Sequence, residues 1–243
     1  MIKKMMCCFL LIPLMSLMLS CDTKATRVLV VTGGHDFQED AFYAMFDSFA
    51  DITYDIAVQP KANVLYTTGD LDPYDALVFY DMYQEITAEQ KAAFLDILKQ
   101  GKGMVFLHHA LVSYQDWDEY EQIIGGRYIE KTDSGQTDAS TYQHDVDIPV
   151  KVMETSHPVT RGVNDFEIHD EVYGGFRVSE TVHPLLSTNH PQSSKMIGWY
   201  HIYKNSRIVY IQLGHDHHAY QNPNYQKLVR QAIDWVKASS SVN

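Results

Sequence analysis

Histidines and carboxylates gather directly after apolar runs in this chain. His35 follows Val28-Leu29-Val30-Val31-Thr32-Gly33-Gly34, His108 and His109 follow Met104-Val105-Phe106-Leu107, and His215, His217 and His218 follow Ile208-Val209-Tyr210-Ile211-Gln212-Leu213-Gly214. Asp81 closes a further run, 76–80. Imidazole titrates near neutral pH, so such groups can move protons, orient a substrate or ligate a metal. His169-Asp170-Glu171 forms a second constellation. Alternate residues of a strand share a face, so His169 and Glu171 would point together into a cleft as an acid and base pair. Each has a bland counterpart: a buried histidine satisfied by backbone, or a solvated acidic turn.

Metal ligation stays open. His215, His217 and His218 supply imidazoles, and Asp216, Glu171 or Asp81 could add oxygens to a zinc-like or manganese-like divalent site. No HExxH or comparable helical spacing is present, and adjacent His217 and His218 do not easily face one ion, so these two read as cleft rim. Gly33-Gly34 could cradle a phosphate, but without a GxGxxG or Walker pattern the pair reads as a turn. Trp199 and Tyr200 are candidates for substrate contact, because aromatic faces stack on a sugar ring; the competing reading is sheet packing, since alternate residues face inward.

Strands and helices must position these groups. The run 28–31 is continuously apolar, as in a parallel strand buried on both faces. Phe42, Met45, Phe46 and Phe49 then recur at helical spacing. A strand over 53–58 and another over 76–80 follow. Thr87-Ala88-Glu89-Gln90 is a capping box, opening a helix that stops near Gln100-Gly101. The strand 104–107 delivers His108. Between 125 and 205 helix signals fade into strand and turn, and 196–203 reads as a strand. Tyr225, Leu228, Val229, Ala232, Ile233 and Val236 mark a closing helix. The alternation predicts one α/β domain: a flavodoxin-like, doubly wound, mostly parallel sheet with helices on both faces and an extra β and loop cover. Ligands of such sheets bind outside the strand carboxyl ends, so His35, Asp81, His108 and His215 are expected to converge.

The first residues read as an export signal. Lys3 and Lys4 form a basic start, an apolar stretch follows, and Ser20-Cys21 closes it. Met18-Leu19-Ser20-Cys21 resembles a bacterial lipobox, which implies a signal peptide over 1–20, lipidation at Cys21, a tether over 21–26 and a domain over 27–238. The expected location is therefore outside the cytoplasm, lipid-anchored in the bacterial envelope on the periplasmic or outer-membrane face. Cys7 and Cys8 leave with the leader and Cys21 carries lipid, so no thiol remains for nucleophilic catalysis. Losing Lys3 and Lys4 takes the formal net charge from −12 to −14. A surface this acidic repels phosphate backbones, which argues against nucleic acid and for a small molecule.

The segments Gly103 through Ala110, His157-Pro158-Val159-Thr160-Arg161-Gly162, Asp170-Glu171-Val172-Tyr173, Gly198-Trp199-Tyr200 and Arg207 through Asp216 are similar, in order, to the ThuA-like (trehalose utilisation) family. The resemblance implies a class I glutamine amidotransferase-like fold and a place in carbohydrate utilisation, with oxidised, keto-type glycosides among the substrates. In true amidotransferases a nucleophilic cysteine follows the fourth strand; His108 holds that place here, so that route to glutamine hydrolysis is closed. Glu171 rather than Asp170 matches the family motif.

These readings give Glu171, His108 and His215 as catalytic candidates, and His35, Asp81, His109, His169, Trp199 and Tyr200 as substrate contacts. The expected function is acid/base chemistry on a sugar or keto-glycoside. Its rivals are a non-catalytic sugar-binding lipoprotein and a partner of a sugar oxidoreductase.

Overall fold

Apolar runs too short for a helix and bounded by turns fold as strands, and those covered on both faces lie inside a parallel sheet. In the computed structural model, which describes residues 24–131 and 138–237, the chain starts this way. β1 (Thr26–Gly33) leads through α1 (Glu39–Asp47) to β2 (Ile52–Val58). α2 (Val64–Thr68) precedes β3 (Ala76–Asp81), α3 (Ala88–Lys99) precedes β4 (Gly103–Leu107), and α4 (Asp118–Ile124) follows. The next stretch is all strand and turn: β5 (Gly126–Arg127), β6 (Thr141–Val152), β7 (Phe166–Gly174), β8 (Arg177–Val178), β9 (His183–Thr188), β10 (Met196–Tyr203) and β11 (Ser206–Ile211). α5 (His217–Tyr220) and α6 (Pro223–Lys237) close the fold.

Nine strands form one mixed sheet in the order β2-β1-β3-β4-β11-β10-β9-β6-β7, with β5 and β8 as a separate ribbon. The first five are parallel, and from β11 onward every pairing is antiparallel. Side chains split by the two-residue period of a strand. Val28, Val30, Val78, Tyr80, Val105, Leu107, Val209 and Ile211 face one core with α1 and α6. Leu29, Val31, Leu77, Phe79, Met104, Phe106, Ile208 and Tyr210 face the other, with α2, α3 and α4.

Local signals act where the sequence placed them. Thr87 Oγ1 accepts from the Gln90 amide at 3.2 Å while Gln90 Oε1 accepts from the Thr87 amide at 3.0 Å, satisfying two helix-end donors reciprocally. Gly34 takes φ +82°, and a Cβ there would meet the Met82 carbonyl oxygen at 1.7 Å, so the first turn requires glycine.

The segment after α4 supplies the expected extra β structure, extending the sheet beyond β11 with four antiparallel strands. Its half-buried alternation suits strands with one solvated face. β6 pairs with β9 only over residues 150–152, so the remainder of β6 and its partner β7 run on as a free ribbon. That ribbon folds back over the carboxyl ends of the parallel strands, which Glu171 and His144 reach. Among the described residues no helix is long and apolar enough to cross a membrane. The predicted leader and Cys21 lie outside the described residues.

Candidate functional site

Parallel strands end on a common rim, and here β1, β3, β4 and β11 release His35, Asp81, His108 and His215 along it. His108 follows β4 with φ +50°, a left-handed backbone uncommon for a residue with a Cβ. The strain is held by two hydrogen bonds: His108 Nδ1 meets the Gln212 carbonyl at 2.7 Å, and the His108 carbonyl accepts from Tyr210 Oη at 3.0 Å. A carbonyl only accepts, so Nδ1 carries a proton, and Nε2 is the ring nitrogen that faces inward.

The ribbon supplies the carboxylate. Glu171 Oε2 lies 2.8 Å from His108 Nε2 and 3.1 Å from His215 Nδ1, and the two nitrogens are 3.3 Å apart. Tyr173 Oη sits 3.0 Å from His108 Nε2. The far nitrogen of His215, Nε2, is 3.0 Å from His144 Nδ1. His144 stands in β6 opposite Glu171, where an extra residue bulges the strand and Asp145 takes φ +55°. The bulge turns an imidazole toward the centre that a regular ladder would place elsewhere.

Burial alone would push the Glu171 carboxyl up. Hydrogen bonds and charge from His108 and His215 outweigh it and hold the group well below the usual carboxylate range. For His215, burial works downward, but Glu171 wins and raises the imidazole above its ordinary value. The two imidazoles thus favour the ionised form of Glu171.

Asp170 clasps the site from below. Its buried carboxylate accepts from the amides of Gly214 (2.8 Å), His215 (2.9 Å) and Glu171 (2.9 Å), tying β7 to the loop after β11. His35 lies beside the cluster, its ring 6.3 Å from His215 and 4.7 Å from His109. Burial, then the neighbouring imidazoles, pushes the His35 pKa down. His109 is fully buried against Tyr80, without a hydrogen-bond partner at either nitrogen, and its pKa is driven well down by that burial.

The centre opens on a cleft of about 250 Å3 walled by His35, His144, Glu171, Tyr128, Tyr142 and Tyr173. Tyr83, held at φ +52°, stands at its edge. A larger groove between α2 and α3, lined by Leu65, Asp72, Ile97 and Lys102, holds no such cluster.

The structure thus brings His35, His108, His109, Glu171 and His215 together. Four other candidates fall elsewhere. Asp81 turns into a buried network, accepting from Gln59 Nε2 at 3.1 Å beside Asn63 and Tyr114, and burial raises its pKa to about 7. His169 does not join Glu171; it faces the ribbon's exposed side, 2.8 Å from Asp147 and ring-on-edge with His218, because Glu171 is drawn to the rim at the bulge. Trp199 is fully buried on the α4 face, donating Nε1–H to the Ile124 carbonyl at 2.8 Å and packing on Tyr210. Tyr200, one residue on, faces the opposite side among His157, His183 and Trp235. Both belong to β10 inside the sheet, away from the rim, so packing decides their place.

Sequence reading missed His144, Tyr173 and the other cleft tyrosines, and set Asp170 aside in favour of Glu171 without seeing its hold on the backbone. Tyr173 was within reach, being two residues beyond Glu171 on the same strand face. His144 had no signal, since its inward turn comes from a bulge.

A family model described as trehalose utilisation, ThuA, matches residues 27–236. The chain belongs to the ThuA family. A ThuA-like protein of Parabacteroides merdae superposes with a TM-score of 0.73 at 18% identity, over 90% of this chain and 92% of that one. A ThuA-like protein of Bacteroides uniformis gives 0.68 at 21%, over 88% and 93%. A GMP synthase protein of Thermoplasma acidophilum gives 0.56 at 12%, over 88% and 95%. The last places this ThuA chain in the class I glutamine amidotransferase-like fold. A search of curated proteins returns no match. Family membership ties the chain to carbohydrate utilisation, and a buried His/Glu/His cluster is present at the inner end of the cleft.

Proposed function

We propose that this ThuA-family chain carries out proton-transfer chemistry on a sugar or keto-glycoside held in the tyrosine-walled cleft. The observation that carries the reading is the Glu171 carboxylate shared between His108 and His215 at the inner end of that cleft. A carboxylate oriented by two imidazoles accepts a hydrogen bond from a sugar hydroxyl and stabilises positive charge that develops beside it. His215 links it to His144, whose half-exposed ring lines the cleft and exchanges protons with the substrate. Tyr128 and Tyr142 offer ring faces to the apolar face of a pyranose, and the cleft's volume suits about one such ring.

The test is incubation of purified protein with glycosides and 3-keto glycosides, products being followed by NMR. Turnover by the wild type and a loss of at least about 100-fold in Glu171→Gln and in His144→Gln are expected. Sugar binding by both wild type and Glu171→Gln, with turnover by neither, would replace this reading with a sugar-binding protein. Co-purification with a sugar oxidoreductase, without binding of free sugar, would make it an accessory of that enzyme. We also propose export and lipid anchoring at Cys21: Cys21→Ser should move the protein from the membrane to the soluble fraction of the envelope, and an unmoved variant refutes it.

A further inference from the structure

Three atoms able to ligate a metal converge at the head of the cleft: His108 Nε2, His215 Nδ1 and Glu171 Oε2, separated by 2.8, 3.1 and 3.3 Å. Ligands held at about 2.1 Å from a divalent transition metal stand about 3.0 Å apart at right angles and about 3.4 Å apart in a tetrahedron. Two sides of the observed triangle fall within that range, and the third, at 2.8 Å, is slightly shorter. A point about 2.1 Å from all three atoms lies about 1 Å off their plane, so the triangle can seat an ion without spreading.

The outer partners are those that ligating imidazoles require. A metal-bound histidine donates its other ring N–H to a fixed acceptor, which sets the tautomer and aims the lone pair. His108 donates Nδ1–H to the Gln212 carbonyl at 2.7 Å, leaving Nε2 as ligand. His215, bound through Nδ1, would carry its proton on Nε2 and donate it to His144 Nδ1 at 3.0 Å. Asp170 fixes the His215 backbone by accepting its amide. The two sides of the triangle are thus braced from different elements, β4 and the loop after β11, with the carboxylate arriving from β7. Glu171 is also a wall of the cleft, so an ion on the triangle would sit beside the substrate.

We propose that His108, His215 and Glu171 form a two-histidine, one-carboxylate seat for one divalent transition-metal ion, with the remaining coordination positions facing the cleft. Two neutral imidazoles and one carboxylate select zinc, manganese, iron or cobalt over calcium and magnesium, which prefer oxygen ligands. The inference deepens the proposed function and rests on it only for the ion's use: a bound ion would polarise a carbonyl of the sugar, while His144, outside the triangle, moves the proton. The neighbouring group Asp216, His217 and His218 also has ligand atoms close together. It is a poorer seat, because Asp216 already caps the His218 amide at 2.8 Å, and all three lie at the outer rim.

The test uses the whole domain, stripped with chelator and titrated with Co2+ by calorimetry and visible absorption. Uptake of one equivalent is expected. Glu171→Gln and His108→Gln should each weaken it by more than about 100-fold, and His218→Gln should leave it unchanged. Zn2+ should raise the melting temperature of the wild type and not of Glu171→Gln, and the two variants guard against one that misfolds. Absence of saturable uptake overturns the proposal, as does uptake untouched by Glu171→Gln or abolished by His218→Gln. Sugar turnover by chelated protein that takes up no cobalt removes the ion and leaves the proposed function standing. Cobalt uptake at the triangle by protein that binds no sugar supports the ion and removes the sugar.

Discussion

Two buried aspartates show how far a side chain's task departs from its type. Asp170 accepts three backbone amides, and Asn at that position would turn an NH2 toward one of them. An unsatisfied buried donor costs about 1–3 kcal/mol, so urea unfolding of Asp170→Asn should show a loss of that order; a change under about 0.5 kcal/mol would show that the clasp is dispensable. Asp81 has the opposite character. Its pKa is raised by burial to about 7 from an ordinary 3.8, so between those values the folded chain keeps a proton that the unfolded chain has released. Stability from this group is fullest below the ordinary carboxyl pKa and falls as pH rises toward about 7, by about 1.4 kcal/mol per pH unit. Asp81→Asn, which cannot ionise, should flatten that decline in unfolding measurements at pH 5 and pH 8. A variant with the wild-type slope would show that other groups set it.

Elements explain what could be read from residues alone and what could not. The four inner parallel strands, the capping box on α3 and the amphipathic face of α6 were legible, since each is fixed by local periodicity or short-range bonding. Convergence of His35, His108 and His215 was legible because strand ends share a rim once the sheet is parallel. Glu171 joins them only because a ribbon arches back from the far end of the sheet, and β6 contributes His144 only through a bulge. Alternation says which residues share a face but not how far a strand travels. Trp199 shows the same gap: its type suited a sugar platform, yet β10 directs it under α4. Trp199→Phe should therefore cost about 1–2 kcal/mol through the lost bond to Ile124 and leave sugar affinity within about twofold. A tenfold loss of affinity without destabilisation would return Trp199 to the site.

At the scale of the molecule, an amidotransferase-like frame holds His108 at the turn after β4, and the antiparallel extension of the sheet brings Glu171 to it and His144 to His215. His35, His108 and His109 lie before residue 131, and His144, Glu171 and His215 lie after residue 138. β11, from the later segment, inserts beside β4 from the earlier one. Neither portion owns a whole centre, so a gene divided between those residues would encode two inert polypeptides that regain cobalt or sugar binding only on reunion. Binding by either polypeptide alone would contradict this. Fused to two interacting baits, such halves would report their encounter.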